Sequence, residues 1–156
     1  MLELILSDES ETLKMGAAIM QAIDEIELAE IEVHLSGNLG AGKTTLVRGI
    51  LQANDWQGPV TSPSYTLCEE YEFRNQLFMH VDLYRISDSE DIEILDLDRR
   101  MENQKIIFIE WPENLIAKRV SHLIIVLIHL DQKRKVCISS AIPEMELCIQ
   151  THYEKI

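Results

Sequence analysis

The sequence predicts an α/β protein with a mixed, partly antiparallel central sheet. Strand-like and helix-like segments alternate through the first two-thirds of the chain, as in a largely parallel sheet covered by helices. Two pairs of apolar segments separated by short turns add antiparallel strands. The 156 residues, 46% of them hydrophobic, suffice for one ordinary domain. Because no repeat or long linker interrupts this order, we expect residues 1–156 to form a single domain.

The N-terminal segments predict a strand followed by a helix. MLELIL is a short apolar run, and the polar stretch SDESE ends it. Asp8 and Glu11 have the spacing of a helix-capping pair. In the following segment, TLKMGAAIMQAI, apolar residues recur at helical spacing, at Leu13, Ala17, Met20 and Ile23. One face of this helix should therefore pack against the core.

The middle of the chain predicts a second strand and helix and then a hairpin. LAEIEVHLSG alternates apolar and polar residues up to Gly37, and KTTLVRGILQA reads as the following helix. We interpret His34, within this strand, as a core residue. After the loop NDWQGPVTSPSYT, two strand-like segments, LCEEYEF and LFMHVD, flank the short turn RNQ.

The remaining segments predict two helices, a buried strand and a second hairpin. SDSEDIEILDL carries N-capping residues ahead of a short helix, and KIIFIE is a compact apolar strand. Pro112 suits the first turn of a helix over PENLIAKRV. HLIIVLIHL and KVCISS form a hairpin around DQKR, and the pattern of PEMELCIQTHYEKI leaves strand and helix equally open.

The composition disfavours direct binding of nucleic acids or membranes. Twenty-seven acidic residues against fourteen Lys and Arg give a formal charge of −13, which repels polyphosphates and anionic membranes. Because the chain has no membrane-length apolar stretch and no signal-peptide pattern, we expect a cytoplasmic protein. Cys68, Cys137 and Cys148 are widely separated and form no C-x-x-C pair, so we expect three reduced, mostly buried thiols.

The stretch SGNLGAGKTT is the most specific signal in the sequence. It contains the pattern G-x-x-x-x-G-K-[ST] between a predicted strand and a predicted helix, the setting of a phosphate-binding P-loop. Its glycines let backbone N–H groups surround phosphate oxygens, and the helix N-terminus attracts the same anions. Lys43 supplies charge to the β- and γ-phosphates, Thr44 offers a hydroxyl to Mg²⁺, and Thr45 can reach the α-phosphate. The expected nucleotide-binding residues are Gly37, Asn38, Leu39, Gly40, Ala41, Gly42, Lys43, Thr44 and Thr45.

This motif refines the expected fold and calls for a catalytic acid. We expect a P-loop NTPase-like three-layer sandwich around the mixed sheet. Asp82 ends LFMHVD and Glu110 ends KIIFIE, and in open α/β sheets ligands lie at the carboxyl ends of strands. Either carboxylate can be the acid that holds the metal's water ligands, so Asp82 and Glu110, with Lys43, are the candidate catalytic residues. His80 points to the same strand face as Asp82 and is interpreted as a core or supporting residue.

Four segments in the observed order, GNLGAGKTT, VTSPSYTL, HVDLYRI and FIEWPEN, resemble the TsaE family. The resemblance runs from about Thr12 to Arg134. It implies an Mg²⁺-dependent ATPase that works with the TsaB and TsaD proteins in forming threonylcarbamoyladenosine at adenosine 37 of tRNA. The tRNA would be reached only through those partners, which agrees with the acidic composition.

The resemblance also implies roles for particular residues. Thr44 and Glu110 would hold Mg²⁺, and Asp82 would orient the attacking water. Trp111 would clamp the site or contact a partner, with simple packing as the alternative. A loop over the phosphates would act as a switch, formed by Ser62, Pro63, Ser64 and Tyr65. Three further residues match positions near the nucleotide in the family, namely Thr12, Glu113 and Arg134.

The sequence departs from the family pattern at three points and leaves two other functions open. Asn38 stands where the family usually has Asp, Ser64 where it has Thr, and a family glycine near Asp96 is absent. One alternative function is a small-molecule kinase, suggested by LDRR around Asp98. The other is a docking protein that ATP binding switches on while hydrolysis is slow and incidental.

Overall fold

The computed structural model describes residues 1–86, 93 and 95–156. The described residues contain seven strands, three α-helices and one short 3₁₀ turn at Pro112–Asn114. In chain order the strands and helices are β1 (Leu2–Leu6), α1 (Glu9–Asp24), β2 (Glu30–Ser36), α2 (Lys43–Ala53), β3 (Cys68–Glu72), β4 (Gln76–Asp82), β5 (Gln104–Glu110), β6 (Leu123–Leu130), β7 (Lys133–Ser140) and α3 (Met145–Lys155).

All seven strands form one sheet in the order β1-β7-β6-β2-β5-β4-β3. The central pairs β6/β2, β2/β5 and β5/β4 are parallel, whereas β1/β7, β7/β6 and β4/β3 are antiparallel. Both hairpins predicted from the sequence are present, as β3/β4 and β6/β7. The predicted α/β fold with a mixed sheet is therefore confirmed.

The apolar side chains form two clusters, one on each side of the sheet. The larger cluster joins α1, α2 and α3 to the sheet and includes Leu46, Phe108 and Ile149. The smaller cluster lies on the other face of β4 and β5 and includes Met79 and Ile107. Strands β4 and β5 are covered on both faces, so side chains on both faces must be apolar. This explains why their sequences are nearly continuous apolar runs, as expected of central parallel strands.

Helices α1 and α2 approach each other backbone to backbone. A Cβ atom added to Gly16 of α1 would lie 2.6 Å from the carbonyl oxygen of Leu46, and one added to Gly49 of α2 would lie 2.5 Å from that of Leu13. These contacts involve backbone atoms, which cannot move aside as a flexible side chain can. Glycine at both positions thus sets how closely α2 packs on α1.

We expect Gly49→Ala to destabilise the protein by about 1–3 kcal/mol, because overpacking at this contact outweighs the better helix propensity of alanine. Urea unfolding followed by circular dichroism measures the change. Gln52→Ala, at an exposed position of the same helix, should change stability by less than about 0.5 kcal/mol. A Gly49→Ala variant as stable as the parent would show that the helices can separate at no cost.

The structure confirms the predicted start of α1 and resolves the ambiguity of the last segment. Asp8 caps α1, and its carboxylate accepts a hydrogen bond of 2.9 Å from the Glu11 amide. The C-terminal segment is helical over Met145–Lys155, since Met145 and Ile149 bury one of its faces. The predicted helix over SDSEDIEILDL falls mostly on residues 87–92 and 94, which lie outside the described residues.

Three expectations are wrong in detail. The segment PENLIAKRV forms only the turn Pro112–Asn114, because the Asn114 side chain instead donates to the Leu83 carbonyl at 2.8 Å and the backbone then becomes extended at Leu115. His34 is only 12% exposed but lies outside the core: its immediate neighbours Val33 and Leu35 face the larger cluster, so its own side chain lies on the opposite face of the sheet, where Nε2 pairs with Glu32 at 2.7 Å. The three cysteines are free as expected, but they are half-buried rather than mostly buried.

Candidate functional site

Three parallel strands end at the same edge of the sheet, and each contributes to one site. In the register of the sheet Glu110 of β5 lies opposite Leu35 of β2 on one side and Asp82 of β4 on the other. The glycine-rich loop leaves β2 immediately after Ser36. The loop and the two carboxylates are therefore adjacent, at the carboxyl edge where ligands bind in α/β sheets.

The glycine-rich loop, residues 37–42, turns β2 into α2. Gly40 and Gly42 have φ values of 77° and 105°, a left-handed conformation that side chains with a Cβ rarely adopt. Gly42 is the N-cap of α2, and no side chain caps the first turn. The first amides of α2 are thus available to an anion at the positive end of the helix.

The Lys43 side chain folds back over this loop. Its Nζ atom donates to the carbonyl oxygens of Gly37 at 2.6 Å and Asn38 at 3.1 Å, and it lies 4.6 Å from the centre of the Trp111 ring. Burial lowers the pKa of Lys43, and the nearby carboxylates, of which Glu110 is the strongest, oppose that shift. The ammonium group is thus desolvated and held at the mouth of the loop.

Glu110 links the loop to the sheet. Its Oε1 atom accepts a hydrogen bond from the Thr44 hydroxyl at 3.3 Å and lies 2.8 Å from Nε2 of His80. Because a carboxylate only accepts, Nε2 of His80 carries the proton of this bond. His80 is fully buried, as expected, and its Nδ1 has no hydrogen-bond partner among the described residues. His80 therefore supports Glu110 from within the sheet.

Asp82 links the site to the loop that contains Ser62. One of its oxygens accepts from the Ser62 hydroxyl, and the other accepts from the Tyr84 amide at 2.9 Å. Ser62 belongs to the loop that the sequence identifies as a switch. Asp82 and that loop are therefore directly coupled.

These groups surround a cavity of about 590 Å³, lined by Leu39, Gly40, Gly42, Lys43, Thr44, Thr45, Ser62, Ser64, Asp82, Tyr84, Arg85, Glu110, Trp111 and Arg134. Three cations and two carboxylates line it, whereas the whole chain carries a net charge of −13. The cavity is thus a local cationic region suited to a polyphosphate. Its hydroxyl and carboxylate oxygens are the hard donors that Mg²⁺ prefers. The residues that line the cavity therefore fit both a polyphosphate and Mg²⁺.

Several predicted residues lie outside the cavity wall. Thr12 is buried in α1, and its hydroxyl accepts a hydrogen bond from Arg134 at 2.8 Å, which holds the Arg134 side chain against Gly42. Gly37 and Asn38 act through the carbonyls that hold Lys43. The others that do not line it are Ala41, Pro63, Tyr65 and Glu113.

Two of these outlying residues still interact with the cavity wall. Glu113 is exposed and acts on Lys43 only through its charge. Tyr65 is 82% exposed, and its ring lies 4.6 Å from the Arg85 guanidinium.

Tyr84 and Arg85 are wall residues to which the sequence assigned no role. Tyr84 packs on Trp111 with 5.0 Å between the ring centres. Trp111 itself has a left-handed backbone at φ 59°, a rare conformation that directs its ring over the site. The signal for both residues was the segment HVDLYRI, in which they stand two and three positions after Asp82.

The LDRR segment lies elsewhere. Arg99 pairs with Glu70, and Asp98 pairs with Arg119. Neither lines the cavity at the glycine-rich loop. The feature that suggested a small-molecule kinase is therefore occupied by ion pairs away from the site.

The mixed sheet, the strand–loop–helix unit and the cationic cavity together define a P-loop nucleotide-binding protein. A family model described as "Threonylcarbamoyl adenosine biosynthesis protein TsaE" matches residues 6–137. The chain belongs to the TsaE family.

Relatives agree with this assignment, and a solved structure shares the fold. The tRNA threonylcarbamoyladenosine biosynthesis protein TsaE of Haemophilus influenzae is 41% identical over 107 residues, which cover 68% of each chain. The protein of that name from Mycobacterium tuberculosis is 37% identical over 130 residues, covering 78% of this chain and 71% of the relative. The crystal structure of Bacillus subtilis YdiB has the same fold, with a TM-score of 0.68, 24% identity, and coverage of 99% of this chain and 95% of that one.

Two further observations concern the backbone at Asp96, near which the usual family glycine is absent, and the suitability of the helices for spanning a membrane. Asp96 has φ 48°, a left-handed conformation that glycine adopts freely and that aspartate adopts more readily than most other residues. None of the helices in the described part of the chain combines the length and apolar character needed to cross a membrane.

Proposed function

We propose that this protein is an Mg²⁺-dependent ATPase that supports threonylcarbamoyladenosine formation in tRNA. The observation that carries the proposal is the meeting of Lys43, Thr44, Asp82 and Glu110 around one cavity. These four residues come from three different elements, α2, β4 and β5. A purely structural role would not explain why two carboxylates and a desolvated lysine meet at one loop. In this proposal residues 1–156 act as one ATPase domain in the cytoplasm.

The residues divide the work by their positions. The amides of the loop and the Lys43 and Arg134 side chains bind the phosphates of ATP. Thr44 and Glu110 are adjacent, so they would hold Mg²⁺, which when bound neutralises charge on the β- and γ-phosphates. Asp82, beside Glu110 at the end of β4, orients the attacking water. Thr12 keeps Arg134 in place.

The biological role follows from the family. The family model and the relatives carry threonylcarbamoyladenosine biosynthesis in their names. We propose that this chain acts with TsaB and TsaD, which modify adenosine 37, and that ATP use here sustains their turnover. The charge of −13 supports contact with tRNA through partners rather than through this chain.

A coupled assay tests the proposal. ATP hydrolysis by this protein is measured alone and with the TsaB–TsaD complex and tRNA, alongside multiple-turnover tRNA modification. We expect slow hydrolysis alone, a change in its rate with the partners, and multiple-turnover modification only when this protein and ATP are both present. Modification that proceeds equally well without this protein would refute the accessory role.

A second candidate function, nucleotide-gated docking, is favoured by one contact. The Ser62 hydroxyl binds Asp82, so a group entering the cavity beside Asp82 would compete for that carboxylate and release or reorder the loop. This function requires ATP binding but no hydrolysis. The test replaces ATP with a non-hydrolysable analogue. If the analogue supports repeated rounds of tRNA modification as well as ATP does, nucleotide-gated docking is favoured over the ATPase function.

A further inference from the structure

A cluster of potential metal ligands lies where α3 packs against the end of α1, and none of its residues lines the cavity at the glycine-rich loop. Glu25 is the C-cap of α1, and Cys148 and His152 stand four residues apart on α3. Residues at this spacing share one face of a helix. Burial of Ile149 against the core fixes α3 on α1 and so places that face against Glu25.

The three side chains already converge on one point. The Cys148 thiol donates to one oxygen of Glu25 at 3.1 Å, and Nε2 of His152 lies 2.8 Å from the other. The sulfur, the imidazole nitrogen and a carboxylate oxygen all lie within 4.8 Å of one another. Tetrahedral zinc has ligand bonds of about 2.0–2.3 Å, which separate its ligand atoms by roughly 3.3–3.7 Å, so small side-chain rotations suffice.

The chemistry of the set favours a soft or borderline divalent cation. Thiolate, imidazole and carboxylate are all zinc ligands, whereas Mg²⁺ avoids sulfur. With Cys148 ionised, its charge and that of Glu25 balance a divalent ion, and Lys155 is the nearby cation that opposes binding. With three protein ligands, the fourth coordination position of a tetrahedral ion is left to a water molecule. The cluster also borders a cavity of about 270 Å³, which gives solvent access to that position.

We propose that Glu25, Cys148 and His152 bind one zinc ion that clips α3 to the end of α1. Metal entry replaces the thiol proton, which goes to solvent, and it replaces the two hydrogen bonds to Glu25 with direct bonds to the ion. Only the thiolate form of cysteine binds a metal, so ligation by Cys148 requires the loss of this proton.

Titration of the reduced, metal-free full chain with zinc tests the proposal, and excess Mg²⁺ keeps the oxygen ligands of the glycine-rich-loop cavity occupied. We expect one zinc per chain and a higher unfolding temperature, because only the folded chain assembles the ligands. Titration with cobalt should give thiolate-to-cobalt charge-transfer absorption in the near ultraviolet and the intense visible bands of a tetrahedral site.

Variants separate this site from incidental binding. Cys148→Ser and His152→Ala should each weaken zinc binding by at least about a hundredfold, since even loss of an outer hydrogen bond costs ten- to a hundredfold. Cys148→Ser should also abolish the charge-transfer band. Cys68→Ser and Cys137→Ser remove the other two thiols and should leave both signals unchanged.

Two results would overturn the proposal. One is the absence of a charge-transfer band in the parent protein at saturating cobalt. The other is zinc binding that survives in both ligand variants while circular dichroism shows them folded. If either variant is unfolded, Glu25→Gln, which changes a largely exposed carboxylate, takes its place, and unchanged zinc affinity in that variant would equally refute the site.

Discussion

Lys43→Ala should weaken ATP binding by roughly tenfold to a hundredfold, because a charge-assisted contact to phosphate contributes about 1.5–3 kcal/mol. In the described structure Lys43 is buried and bonded to the carbonyls of Gly37 and Asn38, so its ammonium group is held next to the loop before any phosphate arrives. Isothermal titration calorimetry with ATP and Mg²⁺ measures the loss.

The control for this variant addresses both charge and folding. Lys135→Ala removes a lysine that pairs with Glu3 on the sheet, away from the cavity, and should leave ATP binding within about twofold of the parent. The unfolding temperature of Lys43→Ala shows whether the loop has kept its structure without the two carbonyl contacts. ATP affinity equal to that of the parent would remove Lys43 from the phosphate site.

Glu110→Gln and Asp82→Asn should each lower the rate of ATP hydrolysis by about 10²–10⁴-fold while changing ATP affinity much less. The two variants should differ in their response to Mg²⁺. Glu110 contacts the Thr44 hydroxyl, so its loss should raise the Mg²⁺ concentration needed for half-maximal rate. Asp82 contacts Ser62 and Tyr84 instead, so its loss should lower the rate even at saturating Mg²⁺.

Steady-state hydrolysis at several Mg²⁺ concentrations makes this comparison. Glu72→Gln is the control, because this exposed carboxylate also ends a strand, β3, but does not line the cavity. It should retain a rate within a few-fold of the parent. Normal ATP hydrolysis in both carboxylate variants would refute the assignment of Asp82 and Glu110 as catalytic residues. If Asp82→Asn, and not Glu110→Gln, raised the Mg²⁺ concentration needed for half-maximal rate, Asp82 would be the metal-holding residue and Glu110 the water-orienting one.

The elements near the glycine-rich loop could be predicted because their determinants are contiguous in the chain. The alternation in β2, the left-handed glycines of the loop and the apolar face of α2 each depend on a few neighbouring residues. The two acids could be predicted as well, since each ends an apolar strand and parallel strands end at a shared edge. Local pattern failed at PENLIAKRV, where Asn114 bonds to Leu83, a residue 31 positions earlier in the chain.

The sequence by itself determined the P-loop, the order of the seven strands and the first two helices, and the family. Only the tertiary structure decided that Thr12 holds the Arg134 side chain against Gly42, although Thr12 and Arg134 are 122 residues apart in the chain. It also decided that Tyr84 and Arg85 line the cavity at the glycine-rich loop. It alone also joined Glu25 to Cys148 and His152. The physical reason is that backbone conformation depends on adjacent residues, whereas contacts between distant side chains depend on how whole elements pack, and residue spacing does not record that packing.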